Sequence, residues 1–236
     1  MASIYLSPST QENNKGAGNY GTEEKRMNEI ADITEKELKR HGVTVYRNSP
    51  NMSLTQVVAD SNSKKPDLHF AIHSNAGGGR GCEVFCYKFG STGEAFAKSI
   101  YNNLSALTPT KDRGVFQGYN YYGTGKHMYE VTYTNCPSAL VEVDFHDSAD
   151  GAKWIIDNIE RIGVLFAKSI LIYFNIPYIY INTPTEAKTN TGTEREKAIK
   201  TIQSVSNWAE DYIREFDIMQ SKGINVFGLI NKIAEK

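Results

Sequence analysis

Apolar positions along the chain recur with two different periods. Short runs rich in β-branched and aromatic residues, at 3–6, 43–47, 67–73, 82–88 and 138–145, predict strands. Between them the apolar positions fall three and four apart, as on one face of a helix. The clearest such stretch starts at Thr22, a candidate N-cap, and runs through Met27, Ile30, Ala31, Thr34 and Leu38 to His41 and Gly42, where glycine can adopt the left-handed closing conformation. Others begin near Ser53 (Leu54, Val57, Val58), near Thr92 (Phe96, Ile100, Leu104) and after Ser148 (Trp154, Ile155, Ile159, Ile162, Phe166, Ile170). Alternation of strand and helix predicts an α/β fold, a mostly parallel twisted sheet with helices on both faces. One segment, 110–130, breaks the rhythm; it is rich in Gly and Tyr and reads as a long functional loop.

After Tyr180 the composition changes to Pro, Thr, Asn and Gly, which reads as a linker. Beyond the linker lie two or three short amphipathic helices, with Ser206 as a cap and Gly223 as a break. The expected organisation is therefore a main domain over 1–178, a linker over 179–193 and a small C-terminal all-helical segment over 194–236. Roughly 45 residues is small for an independent core. Such a segment packs on the main domain, pairs with a copy of itself to give a homo-oligomer, or grips a partner.

Composition narrows the function classes. With 26 basic against 27 acidic side chains and 40% hydrophobic residues, the chain carries no field for nucleic acid and no sign of disorder. Three cysteines, Cys82, Cys86 and Cys136, are too few and odd in number for a disulfide framework, and none forms a CxxC pair. The N-terminus lacks the basic and apolar pattern of a secretory leader, so synthesis in the cytoplasm is expected. No membrane span is expected either, because the most apolar stretch, 163–181, is interrupted by Lys168, Asn175 and Pro177.

Candidate chemistry starts with two of the five histidines, His69 and His73, in one strand run that ends in Asn75 and three glycines. Side chains alternate along a strand, so both histidines share a face, but four residues span about 13 Å and one ion cannot be held by both. Reactive groups of parallel sheets gather beyond the carboxyl ends of strands. His73 lies there; His69 reads as a hydrogen-bonded structural histidine. Glu142 sits among Leu140, Val141 and Val143, where a carboxylate is costly to bury unless paired or protonated; it is either a tuned acid or base, or faces water on an edge strand. Glu24, alone, would merely complement a helix dipole.

In order along the chain, EKRMNEIA (24–31), AIHSNA (71–76) and CPSALVEVDF (136–145), with RGV (113–115), resemble the zinc-dependent N-acetylmuramoyl-L-alanine amidases of the Amidase_3 type. The likeness covers residue 3 to about 176. It implies a hydrolase that cleaves the amide between N-acetylmuramic acid and the L-alanine of the peptidoglycan stem peptide, with one zinc per chain. By the same resemblance Glu24 and His73 are metal ligands and Glu142 is the catalytic carboxylate, taking a proton from the attacking water and delivering it to the leaving amine. Asn75 and Arg113 are candidates for binding substrate, although Asn75 also suits a turn cap and Arg113 a surface salt bridge. The tyrosines at 119, 121 and 122 stack on sugar faces or cover the core.

The departure is at the first ligand. Where the family has a histidine after its first strand, this chain reads LSPSTQENN (6–14), and no histidine precedes His41. Gln11 is the replacement of choice, with Thr10, Glu12 and Asn13 open on register, and His146 or His127 available as donors from elsewhere. The functional expectation is a bacteriolytic phage endolysin, released to the cell wall by a holin, with a host autolysin as the variant. Its rivals are a noncatalytic wall-binding protein on an amidase fold and a zinc carboxypeptidase acting on the stem peptide. The C-terminal helices then target the wall or mediate self-association.

Overall fold

The computed structural model describes residues 1–110 and 113–179, and the stretch from Met1 to Ile179 is one compact unit. The helical segment expected over 194–236, and most of its linker, lie outside the described residues. Six strands, β1 (Ser3–Pro8), β2 (Thr44–Arg47), β3 (Leu68–Asn75), β4 (Glu83–Cys86), β5 (Gly114–Gln117) and β6 (Ser138–Phe145), form one sheet in the order β2-β1-β3-β6-β4-β5. All neighbours run parallel except β4, which is antiparallel to β6. The helices are α1 (Glu23–Arg40), α2 (Leu54–Lys64), α3 (Thr92–Ser105), α4 (Tyr129–Tyr133) and α5 (Ala149–Tyr173). None of the described helices is long and apolar enough to cross a membrane.

Local signals act where the sequence puts them. The Thr22 hydroxyl accepts from the Lys25 amide to start α1, and Gly42, at φ 77°, turns the chain out of it. Ser53 and Gln56 cap α2 reciprocally, and Ser148 caps α5. One face of the sheet carries Leu68, Phe70 and Ile72 of β3 with Ala139, Val141 and Val143 of β6, buried beneath α1, α3 and α5 in the main core. The opposite face carries a smaller cluster, Ala71, Phe85, Leu140, Met128 and Val131, with Phe116 packed against it.

The 110–130 segment corrects the sequence expectation. It is no continuous loop: β5 extends the sheet from Gly114, and the chain then leads into α4, which packs near α2. These elements are four and five residues long, too short to display a period.

Candidate active site

On the smaller face of the sheet, strand register lines up three titratable side chains in one row. His73 of β3 is paired with Glu142 of β6, and Glu142 in turn with Glu83 of β4. Neighbouring strands lie about 4.8 Å apart, so the three belong to one site.

His73 is flanked by carboxylates. Its Nδ1 is 2.9 Å from Glu23 Oε1, and its Nε2 is 3.8 Å from Glu130 Oε2. Burial disfavours the imidazolium, but Glu130 and Glu23 outweigh it and hold the His73 pKa well above the usual range. Glu23 shows the reciprocal effect: burial opposes its charge, yet His73, Asn14 and Ser9 keep its pKa below the ordinary carboxylate value.

The acid that reaches His73 is thus Glu23, whose residue is buried, while its neighbour Glu24 is half-buried with its carbonyl accepting from Asn28. The helix period explains the difference. Met27, Ile30, Ala31, Thr34 and Leu38 are the buried stripe of α1, and stepping four back from Met27 or seven back from Ile30 lands on 23. That signal is present in the sequence.

Among the described residues Glu142 is the one carboxylate with a buried oxygen left unsatisfied. Its Oε2 is buried without a hydrogen-bond partner among the described residues. Burial, with Glu23 and Glu83 adding to it and His73 opposing, raises its pKa to about 8. Glu83, buried and not singled out by the sequence, has both its oxygens occupied: Oε1 accepts from Asn75 Nδ2 at 2.7 Å and Oε2 from Arg113 Nε at 2.6 Å. Asn75 and Arg113 therefore brace this carboxylate, with the Arg113 guanidinium also lying over the Phe145 ring. Tyr121 packs edge-on against Phe85, whereas Tyr122 is 61% exposed, yet the phenol pKa values of both are raised, by burial and then by Glu83 or Glu142.

His69 has a structural environment. It is fully buried, stacked on Tyr5, within 2.9 Å of the Ser61 hydroxyl through Nδ1 and of Glu130 Oε1 through Nε2. Glu130, from the five-residue α4, carries no motif that would have marked it.

Whether these residues suit a divalent ion is a question of donors. Glu23 Oε1 and His73 Nδ1, 2.9 Å apart, have the chemistry and the spacing of adjacent ligands on one ion as well as those of a hydrogen bond. On the far side of Glu23 stand amides: Asn14 Nδ2 donates to Glu23 Oε2 at 2.7 Å and to Gln11 Oε1 at 2.6 Å. Gln11 itself is exposed. Among the described residues no three His, Cys, Asp or Glu side chains converge on one point. His146 is held by Ser74 and stacked on Tyr20, and His127 is stacked on Tyr119 and accepts from the Asn120 amide. Two conventional donors, Glu23 and His73, meet here, and beside Glu23 stands the amide of Asn14, with its nitrogen turned toward the carboxylate.

The loop that carries Gln11 and Asn14 is pinned at its far end. Tyr20 is buried with its hydroxyl 2.7 Å from Ser74 Oγ, and Ala17 N donates to the His146 carbonyl. Gly16 permits this closure, since a Cβ there would lie 2.3 Å from the Tyr20 ring and 2.7 Å from the His146 carbonyl oxygen.

An imidazole and carboxylates gathered at the carboxyl ends of parallel strands, one carboxylate with its pKa near neutrality, have the layout of a hydrolytic centre. The chain belongs to the Amidase_3 family, N-acetylmuramoyl-L-alanine amidase, whose profile matches residues 4–171. The N-acetylmuramoyl-L-alanine amidase CwlM of Bacillus licheniformis is 25% identical over 160 residues, 65% of this chain and 60% of that protein. The chain thus spans about 60% of the length of that relative. Among solved structures, the catalytic domain of CwlV, an amidase from Bacillus (Paenibacillus) polymyxa var. colistinus, superposes with a TM-score of 0.65 at 20% identity, covering 75% of this chain and all of that one (100%). The catalytic domain of the CD27L endolysin, described as targeting Clostridia difficile, does so with 0.58 at 18% identity, over 73% and 98%. These likenesses establish the fold.

Proposed function

We propose that the chain hydrolyses the amide joining N-acetylmuramic acid to the L-alanine of the peptidoglycan stem peptide. One observation carries this reading: Glu142, a carboxylate with a buried and unpartnered oxygen, stands beside His73 on the neighbouring strand. Amide hydrolysis needs a group that first accepts a proton from water and then gives it to the amine, and a pKa near neutrality suits both transfers. Glu142 supplies that group. Glu23 and His73 are the residues that would hold a zinc ion, which when bound acidifies water and polarises a carbonyl. Gln11 or Asn14 would complete the shell with an amide oxygen. Arg113 and Asn75 hold Glu83 fixed beside Glu142, and Tyr122 offers an exposed ring to a sugar or peptide.

The test is digestion of purified sacculi followed by mass spectrometry. Free lactyl groups on muramic acid and intact stem peptides, lost in Glu142→Gln, support the amidase; free amino acids with blocked lactyl groups support a carboxypeptidase. The setting we propose is lysis of a bacterium by a phage endolysin. Co-expression with a holin is expected to lyse the host where expression of the chain alone does not, and a host autolysin would show no such dependence.

A second reading has its own observation. Among the described residues only two conventional metal donors meet, and amides stand where a third would be. A chain that has lost its ion would keep the groove and bind peptidoglycan without cutting it. Binding to sacculi with no zinc and no released peptide is the result this reading requires.

A further inference from the structure

Beyond Glu142 the row of polar groups continues across the sheet to Glu83 and then to Arg113, the residue just before β5. The Arg113 guanidinium is fixed on two sides. Its Nε donates to Glu83 Oε2 at 2.6 Å, and its central carbon lies 5.2 Å from the centre of the Phe145 ring. Phe145 is itself held in place, being 4% exposed and pressed by the glycine loop after β3, where a Cβ on Gly79 would come within 2.6 Å of the ring. Among the described residues the two terminal nitrogens of Arg113 make no hydrogen bond, and the side chain is 43% exposed. Arg80, on that same loop, differs: its guanidinium is closed on Asp144 and Asp150. Arg113 is thus a cation held rigid by one edge, with the other edge left to a ligand.

We infer that Arg113 recognises a carboxylate of the stem peptide, that of the residue following the leaving L-alanine, and so sets a preference for stems in which this group is free over stems in which it is amidated. A guanidinium presents two parallel N–H donors that match a carboxylate, whereas a primary amide offers one acceptor oxygen and no charge. Spacing agrees. Glu142 stands one strand, about 5 Å, from Glu83, whose carboxylate Arg113 grips. From the nitrogen released by the cut to the α-carboxyl carbon of the next residue, an extended peptide measures about 6 Å. In a stem whose second residue is joined onward through its side-chain carboxyl, the α-carboxyl is the group left at that place. The substrate in this assignment comes from the proposed amidase activity; the match between Arg113 and the carboxylate stands on its own geometry.

The experiment uses the full chain with zinc added, as wild type, Arg113→Met and Arg113→Lys. Substrates are two N-acetylmuramoyl tripeptides that differ only in whether the α-carboxyl of the second residue is free or amidated, and peptide release is followed by mass spectrometry. Wild type is expected to favour the free carboxylate by about 5–20-fold in kcat/KM, through KM, with kcat alike for both substrates. In Arg113→Met the ratio is expected to fall to about one, whatever the loss of the Glu83 brace does to the rate on both. Arg113→Lys keeps the charge without the fork; it is expected to retain part of the preference and serves if the methionine variant does not fold. A role confined to bracing Glu83 would lower activity on both substrates equally and leave the ratio unmoved, which overturns the inference, as does a wild type that treats the two substrates alike or prefers the amidated one. If no peptide is released from either, the amidase reading fails separately, and calorimetric binding of the two free tripeptides to wild type and Arg113→Met decides the role of Arg113 by the same ratio.

Discussion

Replacing Glu142 with glutamine removes a titrating proton while keeping the shape of the side chain, so the two chains isolate what the buried carboxylate does to stability. In the folded protein its pKa is raised from an ordinary 4.5 to about 8. A raised folded-state value means that stability is fully present below about pH 4.5 and falls as pH rises through about 8, because the unfolded chain loses this proton first. Each factor of ten is worth about 1.4 kcal/mol, so the carboxylate costs at most about 3 kcal/mol at pH 7 and about 5 kcal/mol near pH 9. Urea unfolding of both chains, with chelator present, at pH 4, 7 and 9 measures the difference directly. The glutamine variant is expected to gain on the wild type as pH rises, by up to those amounts, while losing its hydrolytic activity. A gap between the two chains that is the same at pH 4 and pH 9 would refute the reasoning, since it would mean that Glu142 titrates as if in water.

Three other variants test named contacts. Glu23→Gln is expected to abolish peptide release from sacculi and weaken zinc binding by at least about tenfold, whereas Glu24→Gln leaves both near wild type; chelator competition and product release measure this. Arg113→Ala leaves Glu83 buried with Asn75 as its partner, and because the arginine is 43% exposed the cost in urea unfolding is expected to be about 1–3 kcal/mol rather than that of a fully buried pair. Gly16→Ala forces the Tyr20 ring and the β1–α1 loop apart, with an expected loss of about 1–3 kcal/mol in thermal or urea unfolding, and weaker zinc binding because Asn14 moves with the loop.

The long elements were legible because each obeys one period over its whole length. α1, α3 and α5 bury the apolar positions that recur three and four apart, and the five strands read from the sequence all lie in the sheet. β5 and α4 were not legible, being short and set among Gly and Tyr, where turn chemistry and strand chemistry look alike. For the site, the divide is between local and long-range information. The inward turn of Glu23 was readable from the stripe that continues through Met27, had the period been extended one step toward the N-terminus. Glu83 and Glu130 were not, because what distinguishes them is contact with residues brought together by folding: Glu83 with Arg113, 30 positions away, and Glu130 with His69, 61 away.

Central to the proposed chemistry is that Glu23 and His73 serve as donors to one ion beside Glu142. Anomalous scattering at the zinc edge from a crystal grown with zinc tests this directly. One peak per chain in contact with Glu23 Oε1 and His73 Nδ1 is the expected result. A peak at His146 or His127, or no peak in crystals of protein that still releases stem peptides, would contradict it.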